Sequence, residues 1–220
     1  MMRVALKLLG LAVLCVEGQV LRSAEDDAGR LVYQNDFTQA SAGGLAEDFL
    51  ILEGDFTVVK KTSQAYLKLS ALPLLDASVQ LGENLTGGAV IKVRVKAERQ
   101  GRRAPAFGVG LHGLTGFQLL VEPAGQKLKL KLGIERVQDA GFKWRSGQWY
   151  FVELSVVENN NNWTVEGRVW AESEKRPETA QIEYIAEENP GKGRAYLSGT
   201  PSSGHPIYYD DIELRVVKGQ

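Results

Sequence analysis

QWYFVELSVVENNNNWTVEGRVWAE, residues 148–172, is the stretch that decides the fold. Two runs rich in β-branched and aromatic residues flank an asparagine tract, the pattern of a long β-hairpin. Asparagine tolerates the left-handed backbone of a tight turn, which places the turn centre at Asn160-Asn161. That centre pairs Val156 with Val165, Leu154 with Gly167 and Val152 with Val169, all on one apolar face. The opposite face then pairs Ser155 with Glu166, Glu153 with Arg168 and Phe151 with Trp170. A slip of one residue would scramble the apolar face, the charge pair and the aromatic pair together. The register predicts Trp163, Val165 and Val169 buried between two sheets, with Glu166 and Arg168 outside the core.

Outward from the hairpin, nearly every segment alternates. LVYQNDF (31–37) reads as a first strand, and FLILEGDFTVVKK (49–61) as two strands broken at Glu53-Gly54. QAYLKLS (64–70) follows as another. AVIKVRVKAE (89–98) turns Ile91, Val93 and Val95 inward and Lys92, Arg94 and Lys96 outward. QKLKLKLGI (126–134) repeats this with Leu128, Leu130 and Leu132 against Lys127, Lys129 and Lys131. PAFGVGLHG (105–113), TGFQLLVEP (115–123), AQIEYIAEE (180–188), GRAYLSG (193–199) and PIYYDDIELRVV (206–217) complete the series. No segment has a helical period, and 24 glycines among 220 residues suit many turns. The chain reads as all-β, an antiparallel two-sheet sandwich or jelly roll, with the final strand returning beside the first.

The N-terminus, MMRVALKLLGLAVLCVEG, sets Arg3 and Lys7 ahead of an apolar run from Leu8 to Val16. That run is too short to span a bilayer and reads as a secretory signal, with cleavage after Ala24. Residues 25–220 then form one domain, expected to be secreted or periplasmic and not inserted in a membrane. The single cysteine, Cys15, lies inside the signal, so no disulfide braces the remainder and a large core must do so. The formal charge of −1 and the lack of a polybasic run exclude a nucleic-acid partner. Asn84-Leu-Thr and Asn162-Trp-Thr match the N-glycosylation acceptor pattern.

YQNDF (33–37), EGDFTV (53–58), GQWYFVELSV with RVWAE (168–172), and IYYDDIEL (207–214) together resemble the concanavalin A-like lectin/glucanase superfamily. That group includes laminin-G-like domains and relatives of glycoside hydrolase family 16. The resemblance implies a glycan-binding, glycan-cleaving or adhesion role, and fold alone does not choose among them. The E-x-D-x-x-E signature that supplies the two carboxyls of the family 16 hydrolases is missing from this chain. A non-catalytic module that binds a carbohydrate or another surface ligand is the first reading. A glycoside hydrolase with an unrecognised site, and a scaffold domain without a sugar site, are the alternatives.

The outward face of the hairpin supplies the candidate ligand-binding residues: Trp149, Phe151, Glu153, Glu166, Arg168 and Trp170. Aromatic planes stack on pyranose rings and charged groups bond their hydroxyls. Cross-strand pairing alone accounts for the same residues equally simply. Both histidines, His112 and His205, sit in turn-like contexts that read as solvated. On the last strand Asp210 shares the parity of Ile212, Leu214 and Val216 and so should face inward. Related sandwiches place a structural Ca²⁺ there, which here implies Asp210 with Asn35 or Asp36 as oxygen ligands.

Overall fold

Every pair expected of the central hairpin is present in the computed structural model, which describes residues 29–45, 49–61, 64–72 and 75–219. Val152 lies opposite Val169, Glu153 opposite Arg168, Phe151 opposite Trp170, and the rest follow in step. Asn160 and Asn161 have φ of 49° and 68°, the two-residue turn whose twist matches the strands it joins. Trp163, Val165 and Val169 are buried, as the register demands. The signal expected over residues 1–24 lies outside the described residues.

Strands numbered in chain order form two antiparallel sheets. The first sheet runs β13 (Ile182–Ala186), β12 (Asn162–Ala171), β11 (Trp149–Asn159), β6 (Ala89–Lys96), β15 (Ile207–Val216), β4 (Gln64–Leu69) and β3 (Phe56–Lys61). In it β1 (Arg30–Asn35) also pairs with β15, so the last strand does return beside the first. The second sheet runs β10 (Glu135–Gly141), β9 (Lys127–Leu132), β8 (Phe117–Glu122), β7 (Ala106–Leu111), β14 (Gly193–Thr200), β5 (Ala77–Leu85) and β2 (Leu50–Glu53). Two of these strands were not expected. In β5 the alternation of Ala77, Val79 and Leu81 is cut short by Gly82 and Glu83, and β10 is polar and at a sheet edge.

The core fills the space between the sheets. Val152, Leu154, Val156 and Val165 of the first sheet join Val109, Leu119, Val121, Leu130 and Leu197 of the second in one buried cluster. Gly167 interrupts the hairpin's apolar row for a steric reason. A Cβ there would lie 2.6 Å from the Ile182 methyl and 2.8 Å from a Leu119 methyl. Tyr209 crosses the core and donates its hydroxyl to the Ser198 carbonyl at 2.9 Å, a polar tie between the sheets. Removing two methyls from the fully buried Val165 leaves a void there, so Val165→Ala should cost about 1–3 kcal/mol in denaturant unfolding.

His112 is not solvated. It takes a left-handed φ of 63° at the end of β7 and is wholly buried, edge-on to Trp163. Its Nε2 lies 2.9 Å from the Gly87 carbonyl, which can only accept, so the proton sits on Nε2. Nδ1 has no partner among the described residues. Burial lowers the imidazole pKa below its ordinary 6.5, opposed by the bond to Gly87. As pH falls below 6.5 the unfolded chain takes up this proton first, so the stability His112 contributes is present above 6.5 and lost through the lower folded value. Thermal melts from pH 7.5 to pH 5 should therefore fall more steeply for the native chain than for His112→Asn, whose side chain tolerates the same backbone.

Candidate functional site

Strand pairing lines up the outward side chains of the first sheet in rows that cross it. One row reads Glu166, Ser155, Val90, Arg215 across β12, β11, β6 and β15. The next reads Arg168, Glu153, Lys92, Glu213, alternating in charge at every step. A third reads Trp170, Phe151, Arg94, Asp210. In the first row two short side chains stand between two long ones, and a groove of about 610 Å³ opens over them. Val90, Ser155, Val157 and Val217 line it among Lys92, Glu153, Glu166, Arg168, Arg176, Glu213 and Arg215.

The charged row is closely compensated. Lys92 meets Glu213 at 2.8 Å, and Arg168 meets Glu166 at 2.9 Å and Glu153 at 3.8 Å. The segment after β12 folds back on this face. From it Arg176 holds both oxygens of Glu153, with its Nε at 3.1 and 3.0 Å, and the Glu178 carbonyl accepts from Arg168 at 3.4 Å. Glu153 and Arg168 end up only 5% and 7% exposed. Arg168 is outside the core between the sheets, as expected. It lies on the outward face, as its parity requires, but the returning segment covers it.

The aromatic row does not present an open platform. Trp170 is 7% exposed and stacks on Phe151, ring centroids 5.3 Å apart and planes 26° from parallel. Lys92 lies over the Phe151 ring at 5.7 Å, and Arg94 over Trp149 at 4.7 Å. Trp149 also packs on Tyr66. Trp149, Phe151 and Trp170 therefore sit beside the groove as a buttress, whereas Glu153, Glu166 and Arg168 line it. Arg94, Lys92, Arg176, Glu213 and Arg215 complete the face, and none was picked out with the hairpin residues. The outward parity of Lys92 and Arg94 was readable, but not which strands flank theirs.

Asp210 does not face inward. Between Asp210 and Glu213 the pairing with β6 shifts register, and Asp211 takes a left-handed φ of 46°. This bulge changes the strand's parity, so Tyr209 and Ile212 are both core residues while Asp210 turns outward to Arg94. Arg94 donates to Asp210 at 2.5 Å and to Glu172 at 2.5 Å, and meets Asp211 at 2.9 Å. Burial pushes the Asp210 carboxyl above its ordinary range, opposed by the bond from Arg94. The residues named for Ca²⁺ already have partners within the protein. Asp210 already has a guanidinium as its cation, Asn35 Oδ1 accepts from the Phe37 amide, and Asp36 Oδ1 accepts from Thr38. Among the described residues no cluster of His, Cys, Asp or Glu is arranged to hold a metal.

Two consequences are measurable. Trp170→Ala removes a buried, stacked side chain and should lower stability by about 3 kcal/mol in chemical denaturation. Arg176→Ala strips the buried Glu153 carboxylate of its bidentate partner and should cost about 1–3 kcal/mol, recovered in part by pairing it with Glu153→Gln.

No family model matches the chain, and no curated protein matches its sequence. Solved structures do match its fold. A Bacillus subtilis protein of unknown function with a galectin-like fold aligns at TM-score 0.60 and 10% identity, over 87% of this chain and 98% of that one. The carbohydrate recognition domain of Emp47p aligns at TM-score 0.56 and 9% identity, over 88% and 99%. The carbohydrate binding module CBM66 from Bacillus subtilis aligns at TM-score 0.54 and 7% identity, over 76% and 95%. At such identities the likeness is one of architecture. The chain has the antiparallel two-sheet sandwich seen in galectin-like and lectin-type structures.

Proposed function

We propose that this chain is an exported β-sandwich module that binds a glycan in the groove of its first sheet and does not cleave it. The observation that carries the reading is the row Glu166, Ser155, Val90, Arg215, whose two short central residues open the groove between hydrogen-bonding walls. A volume of about 610 Å³ is ample for a sugar unit, and a mix of apolar floor and polar rim suits a pyranose. Two of the solved structures that share the fold are named for carbohydrate binding or recognition, which supports the same ligand class. The basic start and apolar run of residues 1–16 support export.

The state of the groove's carboxylates supports binding without cleavage. Hydrolysis needs one carboxyl free to give a proton and a second free to attack or to activate water. Glu153 has both oxygens on Arg176, Glu166 is held by Arg168, and Glu213 is held by Lys92. The aromatic residues Trp149 and Phe151 flank the ligand in this reading and hold Arg94 and Lys92 in place through their ring faces.

The test is a calorimetric titration of the protein against a panel of neutral and charged oligosaccharides, beside Ser155→Tyr. Filling the floor of the groove should weaken binding at least about tenfold, roughly 1.4 kcal/mol, with little change in the melting temperature. A chain that binds no member of the panel, or a Ser155→Tyr protein that binds as the native chain does, would overturn the reading.

A further inference from the structure

The charges around the groove do not cancel. Lys92, Arg168, Arg176 and Arg215 line it against Glu153, Glu166 and Glu213. Glu153 is taken by Arg176 through both oxygens, and Glu166 is taken by Arg168. Glu213 is taken by Lys92 at 2.8 Å, which leaves Arg215 only a long 3.5 Å contact to the same carboxylate and 3.3 Å to the Gly29 carbonyl. On the opposite wall the buried Arg168 keeps one N–H, at Nε, without an acceptor among the described residues. Two cations thus share one carboxylate at the Arg215 wall, one N–H is unanswered at the Arg168 wall, and Arg215 has the weakest hold on protein.

We propose that the groove takes an anionic group of the glycan, a carboxylate or a sulfate, with Arg215 as its principal contact. The proposal rests on the glycan reading above and names its substrate class. A planar guanidinium matches both anions through paired N–H donors, and a partly enclosed site strengthens that bond over its worth in water. The preference is local to the groove. Two residues further along the strands Arg94 already answers Asp210, Asp211 and Glu172, so that part of the face has acidic groups in excess. The anionic group therefore seats over Ser155 and Val90, and the rest of the sugar chain leaves the groove away from Arg94.

The experiment titrates the protein with α-1,4-linked trigalacturonate, with the same trisaccharide after reduction of its carboxyl groups, and with a sulfated galactan oligosaccharide. Trigalacturonate or the sulfated oligosaccharide should bind at least about tenfold more tightly than the reduced sugar. Which of the two leads assigns the anion as carboxylate or sulfate. That advantage should shrink between about 50 and about 500 mM salt, as expected for a partly exposed ion pair. Arg215→Gln should erase it by weakening the charged sugars by more than it weakens the reduced one, with the melting temperature unchanged. Equal affinity for charged and reduced sugars would overturn the anion assignment and leave glycan binding standing. An Arg215→Gln protein that keeps the full preference would overturn Arg215 as the contact and leave glycan binding standing. No binding of any of the three would remove both readings.

Discussion

Side-chain alternation along a paired strand is the constraint on which the rest of this structure depends. Once Asn160 and Asn161 take their left-handed conformations, β11 and β12 have one register, and each of their residues is assigned to the core or to the outer face. β6 then pairs with β11 in the same phase, so Val93 continues the apolar row of Val152 and Val169 while Lys92 continues the charged row of Glu153 and Arg168. The core and the groove are two sides of that single phase relation. A shift of one residue would bury Lys92 and Glu153 between the sheets at the cost of the valines.

On the outer face, the hairpin alone would leave Glu153 and Arg168 in water, where such a pair contributes little. The segment that follows β12 changes this by returning over them and bringing Arg176 onto Glu153. Covering an ion pair is costly unless its oxygens and N–H groups are answered, and here Arg176 and the Glu178 carbonyl answer most of them. The outward-facing Trp170 is buried too, stacked on Phe151, though the core between the sheets does not include it. What looks in the strand pattern like an aromatic platform is in the folded chain a packed support beside the groove.

The bulge in β15 is the other departure from regular alternation. It lets one strand give Tyr209 and Ile212 to the core and still present Asp210 and Glu213 to the outer face. Asp210 thereby finds Arg94, and Tyr209 reaches the second sheet through Ser198. Strict alternation from Ile212 backwards leads to the wrong face for Asp210. An extra residue in a strand leaves no periodic signal, because the pattern on each side of it remains regular.

How much of this was legible follows from the range over which each feature is determined. The all-β class, the hairpin register with its asparagine turn, the return of the last strand beside the first, and the buried faces of β6, β9, β11 and β12 were readable in the residues. Each depends on contacts between neighbours in sequence or on a period of two, and both are written locally. The burial of His112 and Trp170, the cover over Arg168, the pairing of Asp210 with Arg94, and the groove shared by Glu166 and Arg215 were not. They depend on which strands lie side by side and on where a loop returns. Residues 94 and 210, or 153 and 176, meet only when the sheet is assembled, and that meeting is what tertiary structure alone decided.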